Sequence, residues 1–142
     1  MTETPAPDHL VPDGVDGATV DAVGKLTKAL ETTERARGHL YAFHQLAGES
    51  DRRVEEAMHL LRDAGHAEWA DRLETELFGR NVLDGRWTFQ IVVEYDDGYW
   101  SLFRRLEAAA RDDLTGGRRH LREAGMKEDH RTHGRPGHSA RP

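Results

Sequence analysis

Trp87-Thr88-Phe89-Gln90-Ile91-Val92-Val93-Glu94-Tyr95 decides the fold class. Its β-branched and aromatic residues suit a pleated strand, but no other segment of the 142 residues has strand character. A lone strand would leave its backbone groups without partners. Val92, Tyr95, Tyr99, Leu102, Leu106 and Ala110 instead continue one apolar stripe at helical spacing straight through Asp96, Asp97 and Gly98. The spacing therefore predicts a single helix C from about 86 to 114, and with it an all-α fold.

Helical periodicity extends upstream. From Asp16, a residue type suited to an N-cap, to Ala47, one face collects Val23, Leu26, Leu30, Thr33, Leu40 and Ala47, and Gly48 reads as the stop of a helix A. Ser50 is placed to cap a helix B over 51–79, whose stripe of Val54, Met58 and Leu61 shifts at Gly65-His66 and resumes as Ala70, Leu73 and Leu77. A break or kink near Gly65 is expected there. Gly79 to Gly85 reads as a turn, and a short helix D over about 118–127 follows Gly116-Gly117. Three long amphipathic helices with short connections predict an up-down-up bundle with a short C-terminal helix added. The expected organisation is a disordered N-terminal arm at 1–15, a helical bundle domain at 16–127 and an Arg/His-rich C-terminal tail at 128–142.

Helix C is apolar over more than one face, because Phe89, Val93 and Trp100 widen its arc beyond what a single core requires. With few helices available to cover that second face, it is expected to form a homodimer interface. All ten aromatic residues fall between Tyr41 and Phe103, which places the densest packing mid-chain. The same register brings Leu30, Trp69 and Tyr95 to one level of the expected core.

Nine histidines and no cysteine mark the composition. The absence of Cys rules out disulfides, thiolate metal sites and Cys nucleophiles, and suits a reducing compartment. The N-terminus has neither a basic start nor an apolar run, and no stretch approaches the ~20 apolar residues of a membrane span, so a cytoplasmic location without membrane contact is expected. Net charge is −6 but unevenly spread: the first 24 residues carry only acids, and the last 28 carry an excess of bases. The acidic balance disfavours nucleic acid as a partner, leaving only the basic tail as a polyanion contact.

Two polar residues stand in the apolar stripe of helix A. At 100° per residue, His44 falls at its centre and Arg37 within about 20° of it. Desolvation requires a carboxylate beside Arg37; Asp96 on helix C's wide arc is placed either to supply it or to serve a turn or capping role near Gly98, and Arg37 and Asp96 are the expected buried polar residues. Antiparallel pairing through the turn at 48–50 would bring His44, Glu55, His59 and Glu107 within about two turns of one layer. These four residues are the candidate ligands of a divalent transition metal. Glu56-Ala57-Met58-His59 has the Glu-x-x-His spacing that aims a carboxylate and an imidazole at one metal in ferritin-like carboxylate bundles. That resemblance covers one tetrapeptide, has no second copy in the chain, and lies on the side of helix B opposite Val54 and Leu61. Phosphate loops, nucleophile elbows and His-Glu-x-x-His motifs do not occur.

Gly38 to Gln45, Gly79 to Gln90 and the run from Met126 to His138 are similar to a family of short uncharacterised proteins from GC-rich bacteria. The similarity covers most of the chain and implies no activity, ligand or catalytic residue. The expected protein is a non-catalytic helical bundle without cofactor, working through self-association and contacts with an unknown protein partner; a metal-binding bundle is the alternative.

Overall fold

The computed structural model describes residues 3–141. A 3-10 turn at Pro7–His9 precedes α1 (Gly17–Asp63), α2 (Ala67–Glu76), α3 (Thr88–Tyr95), a π-helical turn (Asp96–Trp100), α4 (Ser101–Thr115) and α5 (Leu121–His130). The fold is all-helical. Among the described residues the extended backbone pairing amounts to one isolated bridge between Leu83 and Arg86, and the segment that decides the fold class is helix.

α1 begins where the sequence places it, with the Thr19 amide donating to Asp16 Oδ1 at 2.7 Å. It does not end at Gly48. Gly48 keeps a right-handed backbone, unlike Gly65 at φ 86°, and strong helix formers on both sides carry the helix past it; Glu49 and Arg53 add an ion pair one turn on. The helix stops at Gly65 instead. There the Gly65 amide bonds Arg62 O and the His66 amide bonds Leu61 O, the paired contacts of a Schellman motif. Helix A and the first half of helix B are therefore one 47-residue helix, α2 is the second half of B beyond the break expected near Gly65, and three long helices give way to one long helix and shorter ones. Helix C is realised as α3, the π-helical turn and α4, and helix D as α5, about three residues later than expected.

The chain divides into two compact units, Glu34–Trp100 and the residues up to Thr33 together with those from Ser101 onward. In the first, Arg62 bridges Asp71 at 2.6 Å and Glu74 at 2.8 Å, and the Gly79 amide donates to Asp51 Oδ1 at 3.0 Å. α2 thus runs back along the last turns of α1. α3 does the same further up, starting where Thr88 meets His44 and ending where Asp96 meets Arg37. Each part of α1 here faces one returning helix, so only one stripe of each helix is covered. Met58, Ala70 and Val92 are the buried apolar residues of this unit, while Leu46, Leu60 and Trp69 are more than half exposed. Trp69 does not enter the core expected for it. Its register depended on a turn at 48–50, and Trp69 instead lies on the open side of α2 with the Arg72 guanidinium over its ring at 4.7 Å.

In the second unit α4 lies against the first turns of α1, with Val23 and Leu121 buried between elements. The two ends of the chain meet here. Arg131, whose side chain is 1% exposed, pairs with Glu128 at 2.7 Å and donates to the carbonyls of Glu3 and His138. Arg141 Nε donates to Thr4 O, and Arg118 donates to Leu10 O. The basic tail thus spends two of its arginines on the N-terminal arm.

Candidate functional site

The four candidate metal ligands are not brought together. His44 and Glu55 are on the same helix, eleven residues apart in sequence and so about 16 Å apart along its axis. His44 Nδ1 lies 2.7 Å from Thr88 Oγ1. His59 is largely exposed and stands 4.0 Å from Glu55 on the same helix face, with Glu56 also exposed beside it. Glu107 belongs to the other unit and is occupied there. No group of three or more His, Cys, Asp or Glu side chains converges among the described residues.

Arg37 and Asp96 meet in a forked ion pair at the π-helical turn. Arg37 Nε donates to Asp96 Oδ1 at 2.7 Å, and Nη2 to Oδ2 at 3.1 Å. Tyr41 O–H donates to the same Oδ2 at 2.8 Å. The guanidinium carbon sits 3.9 Å from the centre of the Trp100 ring, and Trp100 Nε1 donates to Glu34 Oε1. Trp100, expected on an outer face, is therefore turned onto α1, whereas Phe89 and Val93 are about half exposed. The Arg37 hydrogen bonds, with help from Tyr41, hold the Asp96 carboxyl below its ordinary value against the opposing effect of burial. The same carboxylate pushes the Tyr41 phenol up. A matched ion pair of this kind fixes the register of α3 on α1.

Glu107 is a buried carboxylate, at 5% exposure. It accepts hydrogen bonds from Thr27 Oγ1 and Arg111 Nε, each at 3.0 Å. Burial pushes its carboxyl up, but the Arg111 and Thr27 hydrogen bonds and the charges of Arg111 and Arg119 outweigh this and lower it. Arg111 also donates to Gly117 O at 3.0 Å, tying α4 to the loop before α5.

Beside this pair opens a cleft of about 640 Å3, the feature that sequence reasoning missed. Its lining includes six arginines, at positions 104, 105, 111, 118, 119 and 122, against two glutamates, Glu107 and Glu123. Apolar residues, among them Val20, Val23 and Leu121, line the same space. The basic excess of the last 28 residues was the available signal, but nothing in the sequence shows that Arg118, Arg119 and Arg122 sit with α4 arginines around one space. Compared with protein families, curated proteins and solved structures, the chain matches none.

Proposed function

We propose that this chain is a non-catalytic helical protein that works by self-association as a homodimer and by contacts with other proteins. The observation that carries the reading is the uncovered apolar surface of the Glu34–Trp100 unit, where Leu46, Leu60, Trp87, Phe89 and Val93 are exposed.

A second copy of the chain is the occupant favoured by this surface. In this reading a two-fold axis sets the exposed Trp87, Phe89 and Val93 against the same residues of a second copy, so that helices of two chains complete one layer. The bundle expected within one chain is in this reading completed between two. Trp87 and Phe89 pack edge to face with centroids 5.5 Å apart, a rigid aromatic pair of the sort that anchors interfaces. No helix among the described residues is long and apolar enough to cross a membrane, and the cysteine-free composition suits the cytoplasm.

Sedimentation equilibrium of the untagged chain tests the proposal. The expected mass is about 32 kDa, twice that of one chain. A monomer that persists up to millimolar concentration would remove it.

A further inference from the structure

We propose that the arginine-lined cleft in the unit formed by the two ends of the chain binds a small phosphate-bearing anion. The argument starts from charge. A chain with net charge −6 gathers six arginines around one space with only two glutamates among them. One of those glutamates, Glu107, is neutralised by Arg111, and Arg118 is held by the Leu10 carbonyl. Arg105, Arg119 and Arg122 line the cleft without an ion-pair partner among the described residues. Clustered guanidinium groups repel one another, and a multivalent anion relieves that repulsion.

The backbone around these arginines is built to match. Gly116, Gly117 and His120 all adopt left-handed conformations, at φ 62°, 76° and 58°, so the loop turns sharply between α4 and α5. α5 then starts at Leu121 with His120 as its N-cap and no side-chain cap, leaving first-turn amides and the positive end of the helix dipole facing the loop. On the opposite wall, a Cβ at Gly24 would stand 3.3 Å from Arg122 Cδ. The missing side chain at Gly24 lets the aliphatic stem of Arg122 lie against α1.

Size and lining narrow the ligand class. The volume of about 640 Å3 lies within the ~300–1,000 Å3 typical of small-molecule sites, and the apolar residues beside the arginines accept an organic body attached to the anion. Phosphate is favoured over carboxylate because its several oxygens and higher charge engage more than one guanidinium fork and a helix N-terminus together.

Calorimetric titration of the full chain with inorganic pyrophosphate at low ionic strength is the direct test, with succinate and a single-stranded oligodeoxynucleotide as competing probes. The expected result is saturable binding of one pyrophosphate per chain that weakens with added salt. Arg119→Gln and Arg122→Gln should each weaken it by about tenfold or more, since each removes a charge-assisted contact, with the helical circular dichroism unchanged. Arg105→Gln tests the α4 wall separately and should also weaken binding, whereas Arg52→Gln and Arg80→Gln, both in the other unit, should not. Absence of saturable binding, equal affinity for succinate, or full binding by the Arg119→Gln/Arg122→Gln double variant overturns the proposal. Tighter, arginine-dependent binding of the oligonucleotide also overturns it, in favour of a nucleic-acid surface.

Discussion

Glu107 and Asp96 are carboxylates that the fold holds deprotonated, and the consequence for stability has a definite sign. Both have folded values below their ordinary ones of 4.5 and 3.8, so as pH falls the unfolded chain takes up protons first. The stabilisation they give is complete above about pH 4.5 and is lost as pH drops through the lowered folded values. Urea midpoints should therefore be level from neutral pH down to about 5 and fall steeply below 4.5. Glu107→Gln should cost on the order of 3 kcal/mol at pH 7, because Arg111 is left buried without its counter-charge, and should flatten the acid limb. A wild-type protein as stable at pH 3 as at pH 7 would contradict this account. Arg131 acts at the same scale but locally. Arg131→Met removes the guanidinium that joins Glu3, Glu128 and His138, so limited proteolysis should trim both ends faster while the urea midpoint of the remaining helices stays close to wild type.

Among the elements, glycines separate what could be read in the sequence from what could not. The helical nature of 87–95 was legible because one stripe passes unbroken from Val92 to Ala110, and a strand there would have had no partner. The start of α1 was legible in Asp16. Gly48 was misread because a glycine after a helical stripe looks the same whether it ends the helix or sits within it; the difference is a backbone angle that composition does not encode. That single residue displaced the register of every later element, and with it the supposed convergence of His44, Glu55, His59 and Glu107. Arg37 stood out as a cation in an apolar stripe, and its need for a carboxylate follows from desolvation alone, whereas the fork to Asp96 depends on the π-helical turn. Two substitutions check the continuous helix. Gly48→Ala should stabilise the protein by up to about 1 kcal/mol, since the backbone is helical and nothing lies near the added methyl. Gly65→Ala should destabilise it by about 1–2 kcal/mol, because its φ of 86° is strained for any side chain. Thermal or urea unfolding reads both, and a loss on Gly48→Ala would restore the turn at 48–50.

For the whole molecule, the decisive quantity is apolar surface that one chain cannot bury by itself. If the chain dimerises as proposed, unfolding and dissociation become one event, and stability should depend on protein concentration. Two chains of this length unfolding together have a combined entropy that moves the midpoint by about 2 °C for each tenfold change in concentration. Phe89→Glu combined with Val93→Glu places two carboxylates on the open face of α3 without touching the Arg37–Asp96 pair or the Thr88–His44 contact. Desolvating those charges in an interface is unfavourable, so the double variant should sediment as a monomer, retain most of its helical signal and melt at a lower temperature that no longer varies with concentration. Trp100→Glu is the instructive contrast. Trp100 covers the Arg37 guanidinium within its own chain, and its loss should lower stability while leaving the concentration dependence in place. If the Phe89→Glu/Val93→Glu variant remains dimeric, the interface lies elsewhere, and the exposed stripe carrying Leu46 and Leu60 on α1 becomes the surface to alter next.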